Sequence, residues 1–395
     1  MKSNLRVLIL AKQLDGGTGT FVTQLIKLKS MFSGKYEFKL LALETPQFRL
    51  KDSFSFPIDF HKSQVRQPYY YRLTPFALAR LIQEFDWLNK EVNKFNPHII
   101  LTIDSHCAFL GGVIKLLSPE INLVLTIHNN LRAVTFHKLT PIGRFIMLCV
   151  CHWIFNQADT VVGVSTGVRE DTKRLFGINK PVITIYNGLN ISSLEPNKNK
   201  KGERTKNALK LVSVGRLAPQ KDFRTLIYAV NILNKEIPHL HLLILGDGSE
   251  RPELQKLIDC LALTKKIKIL GWLKRASTFL KRADIFVLSS HFEGFSYALL
   301  EAMNLGIPVI STDTPFGPEE ILGGGKFGIL VKPADPPALA DAIRSLSTNH
   351  HLYKRMAVAA YQRSRFFTEL KMLQSYHHLF QSLVRITNSQ LKAIP

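Results

Sequence analysis

The stretch His291-Phe292-Glu293-Gly294-Phe295-Ser296-Tyr297-Ala298-Leu299-Leu300-Glu301-Ala302-Met303 decides the reading of this chain. The short aliphatic run Ile285–Leu288 ahead of it reads as a buried strand, and the residues after Ser296 read as a helix. The amides of Phe295, Ser296 and Tyr297 then fall at a helix N-terminus, where unpaired N–H groups favour an anion. Glu293 and Glu301 cannot serve a phosphate themselves. An ionised carboxylate only accepts hydrogen bonds, so the pair suits the hydroxyls of a nucleotide sugar. The same letters also fit an amphipathic helix with two solvated glutamates.

Strand, loop and helix recur on both sides of this stretch. Downstream of residue 208 the strand candidates are Leu209–Val214, Leu240–Leu245, Ile267–Leu270, Ile285–Leu288, Pro308–Ser311 and Gly328–Val331. Upstream they are Leu5–Leu10, Phe38–Leu43, Ile99–Ile103, Leu123–Ile127, Thr160–Val164 and Val182–Ile185. Continuous apolar strands alternating with helical patterns predict parallel sheets covered on both faces. The polar segment Asn187–Asn207, with Pro196 and five basic residues from Lys198 to Lys206, reads as a connector. The expected class is therefore α/β, with two tandem Rossmann-like doubly wound domains facing an interdomain cleft. We expect them at 1–187 and 188–368, with a C-terminal helix in 369–395 packing across both. Such sheets bind ligands at the carboxyl ends of their strands.

At 395 residues and 46% hydrophobic content, the chain has material for two packed cores. The formal charge of +22 favours a polyanionic partner. The excess is not a tail: 23 basic and 13 acidic residues precede Ile191, so the first half carries +10 of it. No zinc-finger spacing or aromatic RNA-binding signature accompanies the charge, so nucleic acid is not expected. Cys107, Cys149, Cys151 and Cys260 make no disulfide framework, and Cys149 and Cys151 sit in an apolar run that suggests buried thiols. The apolar runs Val7–Ala11 and Phe145–Phe155 are too short for a signal sequence or a span. A reducing, cytoplasmic setting is the expectation.

Several residues at strand ends suit a nucleotide diphosphate. Gly215-Arg216-Leu217-Ala218-Pro219-Gln220-Lys221 follows a strand, and Arg216 with Lys221 offers a planar donor fork beside a point charge. Gly246-Asp247-Gly248 marks a tight turn on the same rim, and Gly271-Trp272-Leu273 could present backbone groups to a base. In the first half, Gly16, Gly17 and Gly19 form a glycine loop that lets backbone approach a phosphate or sugar. Its spacing matches neither the Walker A loop nor the dinucleotide fingerprint. His128 leaves a strand with Asn129 and Asn130 and can donate to a sugar hydroxyl or a carbonyl. Asp-x-Asp is absent, so cations rather than a bound metal are expected to neutralise the diphosphate, and no cofactor is expected.

These features together resemble a retaining glycosyltransferase of the GT-B architecture in glycosyltransferase family four. They are Glu293 and Glu301, Arg216 and Lys221, the loop Gly16–Gly19, His128, Ser165 in Val-Ser-Thr-Gly-Val-Arg, and Tyr186-Asn187-Gly188. The resemblance implies that Glu293 accepts from the donor sugar, Glu301 from the ribose, and Phe295, Ser296 and Tyr297 bind diphosphate through their amides. It implies that Arg216 and Lys221 stabilise the leaving charge, that His128 touches the sugar near the reacting centre, and that Gly17 faces the diphosphate or acceptor. The catalytic set is thus His128, Arg216, Lys221 and Glu293. The nucleotide-binding set adds Gly16, Gly17, Gly215, Asp247, Leu273, Phe295, Ser296, Tyr297 and Glu301. Gly317-Pro318-Glu319-Glu320-Ile321-Leu322 is similar to a signature of enzymes building surface polysaccharide and lipid-linked oligosaccharide from UDP-N-acetylhexosamines or UDP-hexoses. The implied partners are a nucleotide-sugar donor and a glycan or polyprenyl-diphosphate-linked acceptor. Alternatives on the same architecture are an epimerase, a phosphorylase or a non-catalytic partner subunit.

Two stretches lack acids altogether, His61–Gln83 with Tyr69, Tyr70 and Tyr71, and Ile121–Ala158 with the apolar Phe145–Phe155. Basic residues mixed with aromatics suit an anionic leaflet, which predicts peripheral docking on the cytoplasmic face of the inner or plasma membrane. A core helix and a tyrosine-lined loop fit the same residues.

Overall fold

The computed structural model describes residues 4–14, 16–44, 58–60, 75–130, 140–191, 208–273 and 275–392. The basic connector residues and the tyrosines of the first acid-free stretch lie outside these, as do Arg132 and Lys138. The chain divides into two compact units, Met1–Tyr186 with Lys371–Pro395, and Asn187–Leu370.

In the first unit the described strands are β1 (Leu5–Ala11), β2 (Tyr36–Ala42), β3 (Ile58–Phe60), β4 (Ile99–Ile103), β5 (Asn122–Ile127), β6 (Thr160–Gly163) and β7 (Val182–Thr184). They form one sheet in the order β3-β2-β1-β4-β5-β6-β7. Every pairing is parallel, with Val7 beside Ile99 and Leu101 beside Val124. The reason is visible in composition: all five residues of β4 and all six of β5 are buried, so helices must cover both faces. Each aliphatic side chain so buried contributes roughly 1.5–3 kcal/mol relative to exposure.

The second unit contains β8 (Leu209–Val214), β9 (Leu240–Leu245), β10 (Ile267–Gly271), β11 (Ile285–Leu288), β12 (Val309–Thr312) and β13 (Ile329–Val331), in the order β10-β9-β8-β11-β12-β13. Its core joins Leu211, Leu242 and Ile285 of the sheet to Leu226 and Val230 of helix Phe223–Leu233 and to Ile343 of helix Pro336–Thr348. Counted from its own first strand, each sheet runs 3-2-1-4-5-6, the doubly wound order, with a seventh strand added in the first unit. Strand order reverses between β1 and β4, and again between β8 and β11. Ligands of doubly wound sheets sit outside the strand ends at such points.

The last helix, Glu369–Lys392, returns to the first unit. There Tyr376 lies edge-on to Phe21 at 5.5 Å, His377 stacks on Phe32 at 3.6 Å, and Tyr36 Oη lies 2.6 Å from His377 Nδ1.

Two expectations are corrected. Gly16, Gly17 and Gly19 are not a loop ahead of a helix; they form the opening turn of helix Gly16–Leu25. Gly16 enters it at φ +58, a left-handed conformation that glycine adopts without strain, so the turn can begin on the glycine run itself. Of the two neighbouring thiols, Cys151 is buried, and burial pushes it up to about 12, whereas Cys149 is exposed. Both lie on helix Pro141–Gln157, where two positions span about 200°, just over a half-turn, and so face opposite ways.

Candidate active site

In the second unit, the chain leaves the two central strands at Gly215 and Ser289, and the two loops are tied together. The His291 amide donates to the Gln220 carbonyl at 2.8 Å, Gln220 Nε2 to the Phe292 carbonyl at 2.9 Å, and Ser289 Oγ to the Lys221 carbonyl at 3.0 Å. Glycine makes the neighbouring approach possible. A Cβ on Gly246 (φ +147) would lie 1.8 Å from the Gly215 carbonyl oxygen. The turn Gly246–Gly248 therefore presses directly on the Arg216 loop.

This wiring sets a carboxylate against an ammonium. Glu293 is buried, and its Oε1 accepts from Lys221 Nζ at 2.5 Å and from Ser290 Oγ at 2.7 Å. Lys221 closes a short 3-10 turn, Pro219–Lys221, and its stem passes over Gly215, where a Cβ would meet Cδ at 3.3 Å. Arg216, on the same loop, is exposed. One cation is already paired and the other reaches solvent.

Glu293 leads into helix Tyr297–Asn304, capped by Ser296, whose Oγ accepts from the Leu299 amide at 3.4 Å. Phe295 and Tyr297 are buried, and the Phe295 ring meets Phe367 edge-on at 5.2 Å. Glu301 lies on this helix. Part of its surface remains accessible, yet desolvation of the carboxyl pushes its pKa up to about 7. Gly317, at φ +49, seats against the same loop: its Cβ would lie 2.8 Å from the Gly294 carbonyl oxygen. The short helix Pro318–Leu322 that follows is held by Arg363, which donates to the Ile321 and Glu320 carbonyls at 3.0 and 2.9 Å.

The remaining second-unit candidates sit further out. Asp247 spends its carboxylate locally, on the Gly248 amide and on Arg251 Nη1, both at 2.9 Å. Leu273 lies half-buried beyond β10.

The first unit presents a different chemistry at its strand ends. His128 follows β5, its ring edge-on to Phe21 at 4.6 Å and its Nε2 3.2 Å from Thr126 Oγ1. Thr126 Oγ1 already donates to the Thr102 carbonyl at 2.8 Å, so it accepts from His128 and assigns the ring proton to Nε2. Burial lowers His128 to about 4, so the neutral ring offers Nδ1 as an acceptor. That amends the expected role, in which His128 donates to a hydroxyl.

Sequence reading missed a set of four side chains here, Asp104, His106, Glu84 and Arg80. Asp104 ends β4 at φ +77 and caps helix Ser105–Leu117, its Oδ1 accepting from the His106 and Cys107 amides at 3.0 and 3.2 Å. Burial raises its pKa against those hydrogen bonds. His106 Nε2 lies 2.8 Å from Glu84 Oε2, and Arg80 Nε donates to Glu84 Oε1 at 2.7 Å. Glu84 has no exposed surface. Burial pushes its carboxyl up, but the bonds and charges of His106 and Arg80 outweigh that and hold it below the usual range. Asp104 was findable as an acid at a strand end opening a helix; Glu84 carried no comparable signal.

Among the described residues, no group of three or more His, Cys, Asp and Glu side chains is placed to hold a metal ion. What the second unit assembles is two cations, a buried carboxylate and a helix start around the switch point of one sheet.

Family models match almost end to end: "Glycosyltransferase Family 4" over residues 16–193 and "Glycosyl transferases group 1" over residues 195–363. An uncharacterized glycosyltransferase of Methanocaldococcus jannaschii, MJ1059, is 28% identical over 66% of this chain and 69% of its own length. The N-acetylgalactosamine-N,N'-diacetylbacillosaminyl-diphospho-undecaprenol 4-alpha-N-acetylgalactosaminyltransferase of Campylobacter jejuni is 29% identical over 55% of this chain, which spans 59% of that protein. In fold, the chain is similar to Anabaena Alr3699/HepE in complex with UDP-glucose, with a TM-score of 0.77 at 19% identity, over 96% of this chain and 100% of that one. Matched along both units and sharing their two-sheet fold, the chain belongs to the group 1 glycosyltransferases of family four.

Proposed function

We propose that this glycosyltransferase moves a sugar from a UDP-linked donor, a UDP-N-acetylhexosamine or UDP-hexose, to a glycan or polyprenyl-diphosphate-linked acceptor in surface polysaccharide synthesis. Transfer proceeds with retention and without a metal, at the cytoplasmic face of the inner or plasma membrane. The observation that carries the reading is the Lys221–Glu293 pair at the carboxyl ends of the two central strands, with exposed Arg216 beside it. The Campylobacter relative's undecaprenol-linked substrate and the UDP-glucose bound to Anabaena HepE agree with these substrate classes.

Donor binding gives each group its work. Arg216 closes on the diphosphate as a planar donor fork, and Lys221 shares its ammonium between Glu293 and a phosphate oxygen. Glu293 accepts from the donor sugar's hydroxyls, and Glu301 accepts from the ribose, where it must be ionised. The amides of Phe295, Ser296 and Tyr297 face the diphosphate, and Gly16 and Gly17 give the acceptor close access to backbone. In the transfer step the bond from the anomeric carbon to the phosphate oxygen breaks, and the acceptor oxygen bonds to that carbon on the same face. The acceptor proton passes to the leaving phosphate oxygen, so UDP and the new glycoside are the products. Negative charge grows on the diphosphate during this step, and Arg216 and Lys221 stabilise it. His128 accepts from a donor-sugar hydroxyl through Nδ1.

Screening nucleotide sugars by thermal stabilisation, then assaying transfer to membrane extract and reading the product anomer by NMR, tests the reading. A stabilising UDP-sugar whose configuration is kept in the product supports it. An inverted product, or altered free sugar released without acceptor, overturns it.

A further inference from the structure

The first unit holds a cavity of about 710 Å³ lined by Lys35, His377, His378, Gln381, Ser382 and Arg385. Lys35 ends the turn ahead of β2, its amide donating to the Phe32 carbonyl at 3.1 Å, and the other five residues lie on helix Glu369–Lys392. Every strand of this sheet is parallel, so the start of β2 belongs to the rim opposite the ends of β4 and β5, where Asp104 and His128 sit. The transfer chemistry therefore makes no use of this cavity, although its volume is that of a small-molecule site.

Charge and hydrogen bonding select what fills it. None of the six lining side chains is acidic, and both segments that build the wall lack acids, Gly16–Tyr36 and Leu370–Pro395. Glu37, the next acid, follows Tyr36 on β2 and so faces the other side of the sheet. Burial lowers the pKa of His377, and the positive charges of His378 and Lys35 lower it further. Like charges crowd one another here, and an anion would relieve them. The His377 ring is also fixed from two sides, stacked on Phe32 at 3.6 Å with Nδ1 2.6 Å from Tyr36 Oη. Burial raises the Tyr36 pKa, and Gln381 bonds the same hydroxyl, so the phenol donates to Nδ1 and the ring proton stands on Nε2. An oriented N–H beside a lysine and an arginine suits phosphate oxygens, while Gln381 and Ser382 suit hydroxyls. With no apolar side chain in the lining, the cavity offers an acyl chain no seat.

We propose that this cavity is a second ligand site, taking a soluble sugar phosphate with its phosphate among Lys35, His377 and Arg385 and its hydroxyls on Gln381 and Ser382. Bound there, the ligand ties helix Glu369–Lys392 to the turn ahead of β2. The site stands apart from the donor rim and does not rest on the transfer reading.

Titration of the full chain with glucose 6-phosphate at fixed ionic strength, followed by NMR of the histidine rings, tests it. The His377 and His378 signals, assigned with His377→Gln and His378→Gln, shift saturably and both rings titrate at higher pH in the complex. Binding tightens about tenfold from about pH 8 to about pH 6, as the rings gain the charge that the phosphate favours. Lys35 and Arg385 are exposed, so Lys35→Ala/Arg385→Ala keeps the ligand-free Tm and weakens binding by at least about tenfold, the loss expected for charge-assisted hydrogen bonds. The wild-type chain showing no saturable shift overturns the proposal, as does an equal shift with sulfate, which would be screening alone. Affinity indifferent to the double variant also overturns it, because the sugar phosphate then sits elsewhere. Inorganic phosphate binding as tightly as glucose 6-phosphate removes the sugar from the assignment, and flotation with phosphatidylglycerol vesicles that the double variant abolishes replaces the soluble ligand with a lipid headgroup; either result overturns it.

Discussion

The two sheets share one strand order, yet their switch points carry opposite electrostatics. At the end of β11, Glu293 and Lys221 face each other as a charged pair, and Arg216 stands in solvent beside them. At the corresponding ends in the first unit, burial works toward neutrality: it raises Asp104 and lowers His128 to about 4. The buried charge on Glu84 is balanced within its own neighbourhood by Arg80 and His106. A doubly wound sheet does not dictate the chemistry of its rim. In the proposed function the second rim takes the diphosphate and the first takes sugar hydroxyls.

The sharpest way to break this contrast is to remove the cations. Arg216→Ala and Lys221→Ala should each lower kcat by about 10²–10³-fold, as expected when one charge-stabilising donor is lost. Steady-state kinetics with both variants near wild type would erase the distinction between the rims. Glu293→Ala should come next: it strands Lys221 in a mostly buried site and costs roughly 2 kcal/mol, read as a lowered Tm, discounted for the water that reaches the lysine. An unchanged Tm would show that the pair is not coupled.

Glu301 gives a pH signature. Its folded pKa is raised, so ionising it disfavours the ligand-free fold as pH rises through about 7, while a ribose that needs the carboxylate draws the proton off. UDP affinity should therefore fall about tenfold per pH unit well below 7, and binding should release a proton. Calorimetry in buffers of different ionisation enthalpy measures both, and Glu301→Gln should flatten the profile. A flat wild-type profile would contradict the role.

The first rim should respond in stability rather than in nucleotide binding. Glu84→Gln weakens the bonds to Arg80 and His106 and costs on the order of 1–3 kcal/mol. Glu84's depressed pKa makes its contribution present above the ordinary carboxylate range and lost as pH falls, so the gap between variant and wild type should close in acid. UDP affinity should stay put, and a loss there would blur the two rims. The smallest effect is reserved for chelation: EDTA should leave turnover unchanged.

Much of this was written in the chain. The strands Ile99–Ile103, Leu209–Val214, Leu240–Leu245 and Ile285–Leu288 were readable to the residue because continuous aliphatic runs between turns leave few alternatives. β3 was not, since three residues with Asp59 in the middle carry no pattern, and only pairing with β2 makes them a strand. Arg216, Lys221 and Glu293 were legible from their position after strands. Their wiring was not, because Gln220, Ser289 and Ser290 are ordinary loop residues until two loops meet. Glu84 was invisible for a related reason: one acid in a polar helix reads as solvated until His106, 22 residues away, arrives to bury it.

The most direct test is a crystal structure of the chain with UDP, grown in the presence of EDTA. Diphosphate density between Arg216 and Lys221, at the start of helix Tyr297–Asn304 and with no ion bridging it, is the predicted result. UDP held away from that rim, or bound only once a divalent ion is restored, would contradict the assignment of the phosphates to these two cations.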